Sequence, residues 1–134
     1  MSRPLPVVDD PDTGGFFAAA VQHELVVRTC SSCLVVLHPP RPHCGSCGSW
    51  DTAWQPLPGT GRVVSWTVVE HQVHPAFPVP YTVVLVEPDG AESARLVGHL
   101  DGAPALHDRA AVRVRWEQLS HDTVLPQWDL VGAP

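Results

Sequence analysis

The chain contains no lysine. All eight of its basic residues are arginine, and they stand against fourteen acidic residues for a formal net charge of −6. A surface built to hold nucleic acid carries a basic stripe or run, and none is visible. Arg109, Arg113 and Arg115 form the one local cluster, and acidic residues surround it. A nucleic-acid partner is therefore disfavoured. Also missing is any apolar stretch near the ~20 residues that cross a bilayer. The opening Met1-Ser2-Arg3-Pro4-Leu5-Pro6 has no apolar signal-peptide core. The expectation is a cytoplasmic protein with no membrane association. Catalytic signatures are equally scarce: there is no nucleophile elbow with a Ser-His-Asp set, no P-loop and no dinucleotide-binding glycine loop. The eight histidines are dispersed at 23, 38, 43, 71, 74, 99, 107 and 121. No residue is assigned a catalytic role on this evidence.

What the chain does have is four cysteines in one short stretch. They form two Cys-x-x-Cys pairs, Cys30/Cys33 and Cys44/Cys47, separated by ten residues. Paired thiolates at this spacing suit a tetrahedral ion, and zinc is the favoured reading. A rubredoxin-type iron site uses the same ligand geometry and stays open; two disulfides or a redox dithiol are the other readings. A closed four-cysteine site leaves no open position for substrate, so it reads as a staple rather than a catalyst. Gly45 and Gly48 suit the tight turn of the second knuckle, whereas Leu34 follows the first without a matching glycine. His38 and His43 flank the cysteines and read as bystanders, because four thiolates already complete the ligand count.

Fifteen prolines and ten glycines in 134 residues argue against long helices and for short strands and turns. Residues 1–12 read as an extended arm. Asp12 or Thr13 is placed to cap a helix from about Gly14 to Gln22, with Phe16, Phe17, Ala20 and Val21 on its apolar face. Gly14-Gly15 weakens its first turn, so a partner surface is expected to support it. Leu25–Arg28 and Leu34–Leu37 read as strands around the first knuckle. Beyond Trp50, Trp54 and the breaker Pro56-Leu57-Pro58-Gly59-Thr60-Gly61, the pattern turns β-rich. Arg62–Glu70, Tyr81–Glu87, Ala94–Leu100, Val112–Glu117 and about Val124–Leu130 are the expected strands. Five strands of this spacing predict a small barrel of OB type. The overall expectation is a mainly β protein: an arm and short helix over 1–23, a zinc ribbon over 24–57, and a five-stranded OB-fold barrel over 58–134. The loop Glu70–Pro80 is proline-rich and carries His74 and Phe77, with Tyr81 just beyond it. It reads either as a rigid lip beside an apolar ligand or partner, or as a long hairpin connection.

The ordered set Phe16-Phe17, Cys30 and Cys33, Pro39-Pro40-Arg41, Cys44 and Cys47-Gly48, Gly59-Thr60-Gly61, His74-Pro75-Ala76-Phe77, Pro80-Tyr81 and Asp89-Gly90 resembles a known pattern. It is that of an acyl-CoA-associated family in which a rubredoxin-like zinc ribbon precedes an OB-fold, and it covers roughly residues 14–117. Leu34 after Cys33, and Pro88 where members often carry leucine, depart from it. The resemblance implies a noncatalytic accessory subunit in a hetero-oligomer. Its partner would be a thiolase-like protein acting on CoA thioesters, as in retro-aldol cleavage of a steroid side chain, or a hot-dog-fold enoyl-CoA hydratase. It implies Zn2+ on Cys30, Cys33, Cys44 and Cys47. Arg41, His74, Phe77 and Tyr81 are then candidate contacts to CoA or partner, and Phe16 and Phe17 a candidate docking helix. An independent single-stranded nucleic-acid module is the alternative, against which the charge balance speaks.

Overall fold

The structure, a computed structural model, describes residues 3–132. The expected N-terminal arm is thus described from Arg3 onward; Met1 and Ser2 lie outside the described residues. The elements in order are α1 (Gly14–Val21), β1 (Val26–Cys30), β2 (Val36–Leu37), β3 (Thr52–Pro56), β4 (Thr60–Val69), β5 (Tyr81–Pro88), β6 (Leu96–Asp101), β7 (Ala111–Gln118) and β8 (Val124–Leu130). They form two antiparallel sheets, ordered β2-β1-β3 and β6-β5-β4-β7-β8. No helix among the described residues is long and apolar enough to cross a membrane.

The second sheet is the expected five-stranded barrel. Its long first strand, β4, pairs with β7 through Thr60–Arg62 and with β5 along its whole length, bending at a bulge between Val63 and Ser65. A bulge there increases twist and lets one strand serve two directions of the barrel. The seam lies between β6 and β8. It is closed by a side chain: Gln127 accepts a hydrogen bond from the His99 N–H at 2.9 Å. Strand β5 alternates strictly, with Thr82, Val84, Val86 and Pro88 buried and Tyr81, Val83, Leu85 and Glu87 half-buried. Its run Tyr81–Val86 is apolar on both faces, as suits a central strand, yet its outer face is only partly covered. In β7, Val112 is buried and Val114 and Trp116 pack on the core, while Arg113 and Arg115 face solvent, as the alternation predicts. Val63, Val84, Val86, Leu96, Leu100, Ala110, Val112 and Trp128 make the core. Gly98 lies so close to Trp128 that a Cβ would come within 2.5 Å of the ring.

The ribbon and helix are fastened to this barrel by apolar contacts. Leu25, just before β1, belongs to the barrel core, and Phe16 packs against it. Val27 of β1 is fully buried against Ala91 and Ala94 of the β5–β6 connection. Helix α1 starts at Gly14 with Thr13 in the N-cap position, but no side chain caps it; instead the Gly14 N–H donates to the Asp10 carbonyl at 2.6 Å. Its support comes from within the chain. The Trp54 ring lies against Gly15, where a Cβ would meet it at 2.3 Å. Arg28 donates to the Asp12 carbonyl and to Thr52 Oγ1, both at 2.9 Å, with its guanidinium 5.5 Å from the Trp54 ring centre. Gly15 is therefore the site of a close approach that any side chain would block.

Two strand expectations change. The predicted strand Leu34–Leu37 is reduced to Val36–Leu37, because Leu34 sits at φ 68° in the left-handed region and belongs to the knuckle. Thr52–Pro56, not predicted as a strand, pairs with β1 over five residues. Its alternation is hidden because one face is taken by Trp54 beneath the helix and the rest is polar or exposed.

Candidate metal centre and its surroundings

Each cysteine pair is built on the same backbone device. In the first knuckle the Cys30 carbonyl accepts from the Leu34 N–H at 2.9 Å, and the Cys30 N–H donates to the Val35 carbonyl at 3.0 Å. In the second, the Cys44 carbonyl accepts from the Gly48 N–H at 2.9 Å and the Cys44 N–H donates to the Ser49 carbonyl at 2.9 Å. The residue after each second cysteine takes positive φ: Leu34 at 68°, Gly48 at 81°. Leucine thus occupies the position that glycine fills in the other knuckle.

This repetition brings all four Sγ atoms within 4.8 Å of one another. The cross-knuckle pairs Cys30/Cys47 and Cys33/Cys44 are each 3.6 Å apart. That is well beyond the ~2.05 Å of a disulfide, and the four cysteines are free. An ion with bonds of about 2.3 Å to four tetrahedral sulfurs sets them about 3.8 Å apart, within the range seen. Cys30 and Cys44 are buried with Leu37, and Cys33 and Cys47 face outward. The donor set fits a closed four-thiolate site.

Electrostatics make the same point. The Cys33 N–H directed at the Cys30 sulfur pulls that thiol down to about 6. Cys44 is likewise lowered, chiefly by the Cys47 N–H. Cys47 is pushed up to about 12 even though the Ser49 N–H favours its thiolate, because the Cys30 sulfur and burial outweigh it. Cys33 is raised despite the Val35 N–H, by burial and the Cys44 sulfur. Each knuckle thus pairs one thiol made more acidic with one that resists ionising beside it. A cation between them removes that resistance.

The flanking histidines lie outside the sulfur cluster. His43 packs on Trp50, ring centres 4.6 Å apart, and His38 faces Phe16 at 6.5 Å. Trp50 is 72% exposed. Arg41 is exposed and has no side-chain hydrogen bond or ion pair among the described residues.

The structure gathers the proline-rich lip into an aromatic cluster. Phe77 lies 5.7 Å from His74 and 6.2 Å from Tyr81, centre to centre. The Ala76 N–H donates to His74 Nδ1 at 3.0 Å, fixing that ring within the loop. Two members were not singled out from sequence. His99 of β6 stands 4.9 Å from Tyr81 and 6.2 Å from Phe77. Arg3 lies 4.9 Å over Phe77 and bonds Glu117 at 2.5 Å. The signal for His99 is the outward register of β5 and β6, which sets Val83 opposite it and Tyr81 one step away; Arg3 left none, because an arm has no periodicity. Phe16 and Phe17 meet edge to face at 5.4 Å. Phe16 turns to the barrel core, and Phe17 lines a cavity of about 530 Å³ between helix, ribbon and barrel.

Comparison with known proteins bears on both modules. Residues 17–51 match the family model described as ChsH2, rubredoxin-like zinc ribbon domain, and residues 54–117 match ChsH2, C-terminal OB-fold domain. The chain is 35% identical to a chain of a solved Ltp2-ChsH2(DUF35) aldolase, with TM-score 0.83, covering 96% of this chain and 98% of that one. A DUF35 protein of unknown function from Sulfolobus solfataricus, 17% identical, shares the fold with TM-score 0.60 over 78% of this chain and 77% of its own. A "Probable enoyl-CoA hydratase alpha subunit" of Thermomonospora curvata is 44% identical over 100 residues, or 75% of this chain. The chain spans only 30% of that relative's length. Matched across both modules and over nearly the full length of a solved relative, the chain belongs to the ChsH2 (DUF35) family of rubredoxin-like zinc ribbons joined to OB-folds.

Proposed function

We propose that the chain is a noncatalytic accessory subunit that docks on, and stabilises, a thiolase-like enzyme acting on CoA thioesters. The likeness to the ChsH2 component of a two-component aldolase, extending over 98% of that chain, carries this reading. Cys30, Cys33, Cys44 and Cys47 would hold zinc, whose contribution is a structural cross-link. The ribbon over 24–57 and the barrel over 58–134 would then act as one docking body, in the cytoplasm. The reaction served is a carbon–carbon cleavage of retro-aldol type, of which a steroid side-chain CoA ester is the substrate the resemblance implies. Arg41, exposed and held between prolines, suits a CoA phosphate or a partner carboxylate. The lip formed by His74, Phe77 and Tyr81 is assigned to the acyl-CoA side of the interface, and the exposed Trp50 to its partner side.

The test is co-expression with a thiolase-like partner, followed by size-exclusion chromatography and metal analysis. The expected result is a stable hetero-oligomer with one zinc per chain, and lyase activity only in the complex. A monodisperse lone chain that ignores the partner would overturn the proposal. A hot-dog-fold hydratase is the second reading, favoured by the T. curvata relative whose printed name is that of a hydratase subunit. Capture of a hydratase rather than a thiolase-like protein would decide for it.

A further inference from the structure

The N-terminal arm reaches the aromatic lip through one side chain. The Arg3 guanidinium stands 4.9 Å from the Phe77 ring centre, and its Nη1 donates to Glu117 Oε2 at 2.5 Å. Arg3 thereby joins Tyr81 and His99 around Phe77. Glu117 carries the contact onward. Its other carboxylate oxygen accepts from Gln127 Nε2 at 3.2 Å, and Gln127 accepts from the His99 N–H across the β6–β8 seam. Arg3 is thus tied to the lip and to the seam of the barrel at once.

Between its two ends the arm is barely held. At its base the Asp10 carbonyl accepts from the Gly14 N–H, and the Asp12 carbonyl from Arg28. Across residues 4–9 there is no hydrogen bond or ion pair among the described residues. Leu5 and Val7 are 53% and 69% exposed. Holding such a segment in place removes conformational freedom, and Arg3 must offset that loss. Its ion pair is only partly shielded, at 25% and 23% side-chain exposure. An ion pair of that kind and a cation over a ring each favour closure by only about two- to ten-fold. Arg3 Nε, buried with no hydrogen-bond partner among the described residues, opposes closure. Closed and open arms therefore lie close in free energy, which is what a switchable element requires.

We infer that the arm is a releasable strap over the lip, latched by Arg3 on Glu117 and Phe77. Closed, it covers the Phe77 ring. Open, it uncovers that ring and leaves the Glu117 carboxylate without its cation. The rest of the fold stays in place when the latch opens, since Glu117 keeps Gln127 and Phe77 keeps Tyr81 and His99. Under the reading proposed above, in which the lip faces acyl-CoA, the strap governs access to that side. The latch itself does not depend on that reading, and its test needs neither partner nor CoA.

The test uses the full-length, metal-loaded chain labelled with 4-fluorophenylalanine. The chain has three phenylalanines, so its fluorine spectrum holds three signals, and Phe77 is assigned by Phe77→Leu. The shift of each signal between H2O and D2O reads ring exposure. For Phe77 it should roughly double in Arg3→Ala and in Glu117→Gln, with no further rise when the two are combined. Arg3→Lys, which keeps the charge, should recover at least half of the shielding. Raising salt from 0.05 to 1 M screens the pair and should expose Phe77 in the parent chain but change nothing in Arg3→Ala. The Phe16 signal, packed on the barrel core, should stay constant throughout. A Phe77 ring equally shielded in Arg3→Ala, or indifferent to salt in the parent chain, would overturn the latch. Phe16 and Phe77 becoming exposed together would overturn it as well, and reduce Arg3 to a support of the whole fold.

Discussion

The ribbon and the barrel fix their backbones by different means. The barrel does so by burial: its core holds Val63, Val84, Val86, Leu96, Leu100, Val112 and Trp128, nearly all fully enclosed. The ribbon's own cluster at its tip is only Cys30, Leu37 and Cys44, and β2 is two residues long. Each fully buried valine or leucine contributes about 1.5–3 kcal/mol. The tip of the ribbon has one such residue, so burial cannot hold it. What stands in its place is four sulfurs brought together by two copies of one hydrogen-bonded turn. The lesson is that the two regions should fail separately, and differently.

The strongest way to break the comparison is to take away the ion. Structural zinc in small ribbons contributes roughly 10–16 kcal/mol of apparent binding free energy near neutral pH. Cys44→Ser, or treatment with a strong chelator, should abolish stoichiometric metal and collapse the amide signals of residues 30–51. Signals from Val84, Val86 and Val112 should persist. Acid should act in the same direction, since the ligands must be deprotonated to bind. If the ribbon stays ordered without metal, the assignment of its stability to the sulfurs is wrong.

The converse experiment attacks the barrel. Trp128 is fully buried, and truncating a large aromatic core residue costs about 3–5 kcal/mol. Trp128→Ala should lower stability by that amount, read in denaturant, and leave metal stoichiometry at one per chain. Gly98→Ala should also destabilise, by overpacking, since the added Cβ would meet Trp128 at 2.5 Å. Loss of metal in Trp128→Ala would mean the regions are one cooperative unit, joined through Leu25 and Val27.

How much of this could be read from sequence follows the same division. The metal site was legible because ligand spacing is a local property: Cys30, Cys33, Cys44 and Cys47 converge as their pairing implied. The barrel strands were legible from period-two alternation, most plainly at Val112-Arg113-Val114-Arg115-Trp116. What escaped was set by tertiary packing. Strand β3 has no usable alternation, yet it pairs along all of β1. Trp54 stands just before the breaker with nothing in the sequence to mark its place, but it lies under Gly15 and Arg28. Within the Gly14-Gly15 pair, read as a weakness awaiting a partner, Gly15 is the space that admits Trp54. The clamp of Arg3 over Phe77 and onto Glu117 joins positions 114 residues apart, which no local pattern encodes.

A subtler probe sits where the two regions meet. Burial holds the His38 imidazole below its ordinary value of 6.5. The folded chain therefore binds fewer protons at this ring than the unfolded chain does. Stability contributed by the neutral ring is complete above the unfolded value and is lost as pH falls from there through the lower folded value. Melting temperatures taken from pH 8 down to about 5 should show a decline that His38→Phe reduces. The effect should be smaller than either loss above. An identical slope in the variant would mean the decline belongs to the thiolates alone.

The smallest expected effect sharpens the comparison within the ribbon itself. Leu34 and Gly48 hold equivalent positions at φ 68° and 81°. The left-handed region costs a non-glycine residue roughly 1–2 kcal/mol, and glycine's extra freedom when unfolded costs about 0.5–1 kcal/mol. Leu34 is 76% exposed, so its side chain recovers little by packing on this chain. Leu34→Gly should raise the stability of the metal-loaded ribbon by about 0.5–1 kcal/mol, read as slower metal loss to a chelator. Gly48→Leu should do the opposite. If Leu34→Gly stabilises the free chain but weakens assembly with a partner, the leucine is kept at a strained position for the surface it presents. If it destabilises the free chain, the two knuckles are not energetic equivalents, and the backbone symmetry of the ribbon does not extend to its energetics.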